Sequence, residues 1–277
     1  MITGKTTLIA HLGYPTEAFK APMIYNPWFE RQGMDAVVMP MGVKAGDYPA
    51  VLAALARVTN LRGALVTMPH KIATLSLADE VTPTARIAGA CNALLRREDG
   101  SWLGDQFDGA GFVRAALRKG RVIEGASALV VGSGGVGSAI AASLAAAGVA
   151  RLALFDSHPA AAAALRDRLL QHYPGLVVET GANDPAGHDI VVNATPLGMN
   201  AGDPLPMDVS RIAPTAFVGE VVMKQTLTAF LAAARERGCQ VQVGSDMLFE
   251  MIPAYLEFFG FGSATADELR AVAALPD

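Results

Sequence analysis

Charge and cysteine are both scarce in this chain. Of 277 residues only 17% are charged, 22 Lys and Arg against 26 Asp and Glu, for a net charge of −4. A surface that grips nucleic acid by neutralising phosphates needs the opposite balance, so nucleic-acid binding is not expected. No run of like charges marks an interaction tail. The two cysteines, Cys91 and Cys239, are too few for a disulfide framework and have no metal-binding spacing. They suit packing in a reducing, cytoplasmic setting, and no metal site is expected. Long apolar runs are missing too. The most apolar stretch, 138–155, is interrupted and carries Arg151, too weak a signal for a membrane span. At the N-terminus a short apolar patch is broken by His11, so no signal peptide is expected. Gly4-Lys5-Thr6-Thr7 looks like the end of a phosphate-binding P-loop, but no strand precedes it.

Apolar residues, by contrast, make up 52% of the chain, with 28 Gly and 16 Pro spread along it. That is material for one large domain or two ordinary ones with many turns. From Ser127 to Ser245 short apolar runs alternate with helical segments. The runs are Ser127–Gly132, Arg151–Asp156, Gly175–Thr180, Asp189–Thr195, Ala216–Val222 and Gln240–Ser245. Such alternation predicts an α/β fold with a parallel, doubly wound six-stranded sheet. The first hundred residues alternate less regularly. Strands are expected at Thr6–Ala10, Asp35–Pro40 and Gly63–Thr67, with helices over 22–32 and 47–59. Cys91–Arg96 and Ser101–Gly104 flank a turn and predict a hairpin. The tail after Asp246 is helical and is expected to pack back on the first domain. Residues 1–107 with 246–277 then form a substrate-binding domain, and 108–245 a Rossmann dinucleotide-binding domain.

Gly132-Ser133-Gly134-Gly135-Val136-Gly137 carries the spacing G-x-G-x-x-G between a predicted strand and a helix. Gly132 allows the tight turn, Gly134 lets a pyrophosphate approach the backbone, and Gly137 lets helix and strand pack closely. The helix N-terminus offers N–H groups and partial positive charge to the phosphates. Asp156 ends the next strand, 24 residues after Gly132. A carboxylate there accepts from ribose hydroxyls and repels a 2′-phosphate, and no Arg lies in Ser157–Leu165 to receive one. The cofactor expected is therefore NAD in preference to NADP.

Removing hydride from an alcohol also requires moving its proton. Candidates outside the cofactor loop are Lys71, in Val66-Thr67-Met68-Pro69-His70-Lys71, and Asp108, in Gly104-Asp105-Gln106-Phe107-Asp108-Gly109. A lysine shielded from water can serve as a base near neutral pH, with a carboxylate to orient it. His70 adjoins Lys71, but neighbouring residues point in different directions, so a catalytic role for it is not expected.

These motifs, with Gly89-Ala90-Cys91-Asn92, Asn193-Ala194-Thr195-Pro196-Leu197-Gly198-Met199 and Gly244–Leu248, resemble the shikimate dehydrogenase family in order and spacing over 13–255. The resemblance implies two α/β domains with a cleft between them, and Lys71 and Asp108 at the alcohol. It implies Thr67 and Asn92 on the substrate, and Asn193, Ala194, Thr195 and Met199 beside the nicotinamide. Several positions depart from the family. Its S-x-S-P segment, whose hydroxyls hold the substrate carboxylate, is here Phe19-Lys20-Ala21-Pro22. Its asparagine before V-T is Leu65, its tyrosine after the fifth strand falls at Met223, and its C-terminal glutamine at Met251, next to Glu250. Hydroxyls that become Phe and Ala cannot hold a carboxylate.

The expected protein is thus an NAD(P)-dependent oxidoreductase, a monomer or homodimer, acting on a secondary, cyclic alcohol with Phe19, Ala21, Met223 and Met251 around it. Two alternatives stand beside this: a true shikimate or quinate dehydrogenase, and a non-catalytic NAD-binding sensor.

Overall fold

The structure, a computed structural model, describes residues 2–17, 19–225 and 227–275. The chain folds into two compact units. One comprises Met1–Arg86, Ala90–Phe107 and Ile252–Asp277, the other Ile87–Gly89 and Asp108–Met251.

The first stretch of chain runs β1 (Thr7–Gly13), α1 (Pro22–Arg31), β2 (Ala36–Gly42), α2 (Tyr48–Leu55), β3 (Leu61–Val66), α3 (Lys71–Leu77), β4 (Glu80–Val81), α4 (Pro83–Ala88), β5 (Ala93–Arg96) and β6 (Trp102–Asp105). The sheet of the first unit has the order β2-β1-β3-β5-β6-β4. β1 is parallel to β2 and β3, while β5 runs antiparallel to β3 and β6. Side chains alternate between faces as strand geometry requires. Ala10, Leu12, Ala64 and Val66 join Tyr48 and Leu52 of α2 in one core. The residues between them, His11, Gly63 and Leu65, point the other way, and Gly63 lies under the Phe259 ring. β1 continues to Gly13 rather than stopping at Ala10, because His11 pairs in register with Leu65 of β3 and Leu12 with Val66. The short α3, β4 and α4 are not foreshadowed by periodicity. β4 has two residues, and α3 starts at His70 without a side-chain cap.

The second stretch runs α5 (Asp108–Arg118), β7 (Ser127–Val131), α6 (Gly135–Ala146), β8 (Arg151–Phe155), α7 (Pro159–His172), β9 (Val177–Thr180), β10 (Ile190–Asn193), β11 (Phe217–Glu220), α8 (Ala229–Glu236), β12 (Gln240–Gln242) and α9 (Gly244–Phe259). Its six strands form an all-parallel sheet, β12-β11-β10-β7-β8-β9, the doubly wound order expected of a dinucleotide-binding domain. Ala128, Val130, Ile190 and Val192 feed one core and Leu129, Val131, Val191 and Val218 the other. Both faces of the sheet are therefore buried, which explains the unbroken apolar strands. A final helix, α10 (Ala266–Val272), opens on a capping box between Thr265 and Glu268 and packs on α1 in the first unit.

The division between units falls inside α9, after Met251, not at Asp246. The start of α9 belongs to the second unit because Met247 enters its core. A Cβ on Gly111 of α5 would lie 2.7 Å from both the Met247 carbonyl oxygen and the Met251 Cβ.

Among the described residues no helix is long and apolar enough to cross a membrane. The tight seat of Phe259 gives a direct test. A methyl group at Gly63 would overlap the Leu94 carbonyl and come within 2.6 Å of the Phe259 ring. Gly63→Ala is expected to cost about 1–3 kcal/mol in urea unfolding, and unchanged stability would show that β3 can move aside.

Candidate active site

In the second unit the candidate cofactor residues lie at the carboxyl ends of β7, β8, β10 and β11, where open α/β sheets bind ligands. After Val131 the chain turns at Gly132, whose φ of +104° only glycine adopts without strain. A Cβ there would lie 2.7 Å from the Ala194 carbonyl oxygen. One on Gly137 would overlap the Gly132 carbonyl, so α6 sits directly on the turn. Gly134 is different. Nothing lies within 4 Å of where its Cβ would be, leaving the backbone open at the N-terminus of α6. Gly135 begins that helix and Val136 packs on the core beneath it. Ser133 donates its N–H to Asp156 Oδ2 (2.7 Å), while its buried Oγ has no partner among the described residues. Open space over Gly134, a free hydroxyl and a helix N-terminus fit a pyrophosphate.

Asp156, at the end of β8, also accepts the His158 N–H (2.8 Å) through Oδ1. It therefore holds the shape of the loop that joins β7 to α6 and of its own turn. Asn193, the last residue of β10, is fully buried. Its Oδ1 accepts the Thr195 N–H (3.1 Å) and Oγ–H (2.6 Å), and its Nδ2 donates to the Leu197 carbonyl (3.0 Å). Asn193 and Thr195 thus direct their side chains at their own loop. Ala194 ties that loop to β7 through its N–H and the Val131 carbonyl (2.7 Å). Met199 is half-buried beyond it.

Glu220, register partner of Asn193, is not marked by any motif. It is fully buried and accepts the Thr228 hydroxyl (2.8 Å), while that hydroxyl caps α8 by accepting the Leu231 N–H. Burial pushes its carboxyl up to about 7. Met223 packs on the core of this unit and Met251 stands against Gly111. Asp108, buried, opens α5, which lies close against α6, since a Cβ on Gly109 would overlap the Ala139 carbonyl.

The first unit gathers the substrate candidates at the carboxyl end of β3. Val66 donates its N–H to the Asn92 carbonyl (2.7 Å) and Thr67 its N–H to the Leu12 carbonyl (2.9 Å). Cys91 donates its N–H to the Lys71 carbonyl (2.8 Å). Three backbone bonds therefore bring Thr67, Lys71 and Asn92 together, although 25 residues of chain separate Thr67 from Asn92. Asn92 Oδ1 accepts the Phe107 N–H (3.0 Å), and its buried Nδ2 has no partner among the described residues. Lys71 is half-buried. His70 faces away from this group: its Nε2 bonds the Val43 carbonyl (2.8 Å) and its ring stacks on Tyr48 at 4.0 Å.

The substituted segment occupies one side of the same group. Ala21 is buried at the start of α1, and its carbonyl accepts the N–H groups of Ile24 and Tyr25. Phe19 stacks on His11 with ring centroids 4.0 Å apart. A Cβ on Gly13 would overlap the Thr67 methyl and lie 2.8 Å from the Phe19 ring. His11 is missing from every motif, and its signal is the strand alternation that makes it a neighbour of Leu65 on the Phe19 side. Among the described residues no cluster of His, Cys, Asp and Glu is placed to hold a metal ion, and Cys91 and Cys239 are both free and buried.

Comparison with known proteins gives consistent matches. Residues 12–94 match the family model for the shikimate dehydrogenase substrate binding domain. A curated relative from Acidiphilium cryptum, a shikimate dehydrogenase (NADP(+)), is 38% identical over 99% of this chain and 98% of its own. The crystal structure of shikimate 5-dehydrogenase from Listeria monocytogenes, in complex with shikimate and NAD, superposes with a TM-score of 0.88 at 27% identity, covering 98% of this chain and 97% of that one. Quinate dehydrogenase from Corynebacterium glutamicum, in complex with NAD, gives 0.86 at 28% identity, covering 96% and 98%.

Two measurements check the cofactor half. Gly134→Val should fold normally, since its side chain meets no protein atom, yet weaken NADH binding at least about tenfold by occupying the phosphate approach. Binding at wild-type strength would move the phosphates elsewhere. Glu220 should make stability fall with rising pH. Its carboxyl titrates at about 7 in the fold and near the ordinary glutamate value of 4.5 when exposed, so below pH 4.5 both states are protonated. Between 4.5 and 7 the unfolded chain releases its proton first and gains. The loss is at most about 3 kcal/mol, and Glu220→Gln should remove it from the pH profile of the urea midpoint.

Proposed function

The chain belongs to the shikimate dehydrogenase family and is an oxidoreductase acting on a CH–OH group; from this premise we propose that it transfers hydride reversibly between NAD and a secondary, cyclic alcohol, Lys71 with Asp108 moving the proton. The gathering of Thr67, Lys71 and Asn92 by the backbone bonds at the end of β3 is the observation that carries this reading. Within it, the Lys71 amine accepts the hydroxyl proton as the C–H bond breaks, and returns it when a carbonyl is reduced. Asp108 is the carboxylate that the family resemblance pairs with that amine. Asn92 has unused donors at Nδ2 for a substrate oxygen, and Thr67 presents its hydroxyl beside it. When bound, NAD would supply the hydride acceptor, and the open backbone at Gly134 with Ser133 Oγ would hold its phosphates.

The NAD preference rests on Asp156. Both its oxygens accept backbone N–H groups, so the carboxylate is fixed at the end of β8 and stays available to ribose hydroxyls. A 2′-phosphate would meet that negative charge with no arginine in the following turn. The curated relatives are NADP(+) enzymes, so the reading rests on this chain's own β8 turn alone. Two buried thiols suit a reducing compartment, and we place the enzyme in the cytoplasm.

The substrate differs from the family's name. Where hydroxyls would hold a carboxylate, this chain has the Phe19 ring and the buried Ala21 methyl. Shikimate or quinate remains the competing substrate because Thr67 and Asn92 stand where the family's substrate contacts fall. Initial rates with both acids and with uncharged cyclic polyols separate the two, and efficient turnover of either acid would favour the second reading.

Lys71→Met should lower kcat by about 10²–10⁴-fold, the usual contribution of a positioned base, with NADH binding unchanged. Wild-type turnover in that variant would remove Lys71 from the chemistry. Replacing Asp156 by Ala together with Ser157 by Arg should shift kcat/KM toward NADP by at least about tenfold, and an unaltered ratio would place the discrimination elsewhere.

A further inference from the structure

The face of the first unit that carries Thr67 and Lys71 holds one more polar side chain, His11, that the proposed chemistry does not use. It lies on β1, 8% exposed, in register with Leu65. One face of its ring is covered by Phe19 at 4.0 Å and an interplanar angle of 25°. The Phe19 ring in turn reaches Gly13, which borders Thr67. Among the described residues Nδ1 is sealed from solvent without a hydrogen-bond partner. An unpartnered lone pair costs less than an unpartnered N–H, so the proton belongs on Nε2. The ring then carries its one N–H donor there.

The charge state follows from the same surroundings. Burial, with the Lys71 ammonium acting on the ring from nearby, holds the imidazole down to about 3. His11 is therefore neutral at any working pH. A neutral donor suits a hydroxyl or carbonyl oxygen but gives no charge to balance a carboxylate. The positions that would otherwise supply carboxylate-binding hydroxyls are Phe19 and Ala21, so the pocket wall has lost anion donors and gained one neutral one.

We propose that His11, held by Phe19, is a specificity-determining residue that donates a hydrogen bond from Nε2 to an uncharged oxygen on the substrate ring, selecting cyclic polyols that lack a carboxylate. This rests on the dehydrogenase reading above and adds to it the substrate class. Phe19 fixes the imidazole plane and closes the space a carboxylate would occupy. The Lys71 ammonium, close enough to act on the ring, places the contacted oxygen near the reacting hydroxyl.

The test uses the full enzyme with a matched pair, shikimate and its uncharged methyl ester, alongside myo-inositol and 1,2-cyclohexanediol, all with NAD. Wild type should turn over the ester or an uncharged polyol at a higher kcat/KM than shikimate. His11→Val should raise KM for the preferred uncharged substrate about tenfold, the value of one hydrogen bond between neutral groups, with kcat within about threefold. His11→Gln, which restores an N–H donor, should recover most of that KM. Phe19→Ser should narrow the gap between ester and acid. Preference for shikimate over its ester, or a His11→Val variant with unchanged KM, overturns the inference while leaving the dehydrogenase intact. Absence of alcohol-dependent NAD reduction with every substrate, in protein that binds NADH, overturns the dehydrogenase reading instead. Thermal unfolding of each variant identifies any that fail to fold, and the Gln variant then carries the comparison.

Discussion

The hydrogen bond from the Val66 N–H to the Asn92 carbonyl is the constraint on which the substrate half depends. It joins the end of a parallel strand to the start of an antiparallel one, and β5 enters the sheet beside β3 only in that register. Asn92 N–H is meanwhile held by the Asp105 carbonyl of β6, and Asn92 Oδ1 by the Phe107 N–H. Asp108 follows Phe107 immediately, so the residue that opens α5 leaves the first unit from a fixed point. The backbone of one buried residue thus fixes the sheet register, and its side chain ties down the Phe107 N–H ahead of α5. Replacing that side chain keeps the backbone bonds and strands one N–H, that of Phe107, at a cost of about 1–3 kcal/mol if no new partner is found.

The cofactor half is built on another principle. Its closest approaches are between backbones: Gly132 against Ala194, Gly137 against Gly132. Side chains there mostly serve the loops that carry them. Asn193 and Thr195 bond within their own turn, and Asp156 holds the Ser133 and His158 N–H groups. Glu220 and Thr228 do the same under α8. A surface made largely of peptide groups suits what all dinucleotides share, the pyrophosphate.

This division explains what the sequence makes legible. A backbone site demands glycine at fixed spacing, so Gly132, Gly134 and Gly137 stand out, and continuous apolar strands reveal the doubly wound sheet. Lys71, Thr67 and Asn92 are legible only as a resemblance, because what unites them is a set of backbone bonds across 25 residues. His11 is hidden by its own polarity. A histidine after four apolar or small residues looks like the end of a strand, yet β1 carries it two residues further because Leu65 and Val66 continue the ladder. Glu220 is hidden for a related reason, since an acidic residue ending an apolar strand looks like solvent-facing punctuation until Thr228 is seen beneath it. The break within α9 follows from Gly111, whose missing side chain admits the Met247–Met251 backbone. No helix periodicity carries that information.

Side chains and backbones also differ in what a substitution does to them. On the first unit, exchanging a hydroxyl for a phenyl ring at residue 19 leaves the backbone bonds that hold Thr67, Lys71 and Asn92 untouched, because none of them involves a residue of that segment. The proton-transfer candidates keep their places while the wall beside them changes chemistry. The wall is internally consistent: a phenyl ring cannot solvate a carboxylate, and a histidine stacked on it stays uncharged, so its one N–H donates without balancing an anion's charge. Desolvating a carboxylate against such a wall costs several kcal/mol with little returned, whereas a hydroxyl loses far less and regains one bond. The wall at residues 11 and 19 can therefore differ without disturbing the backbone bonds at the end of β3, which is what the proposed change of substrate requires of the scaffold.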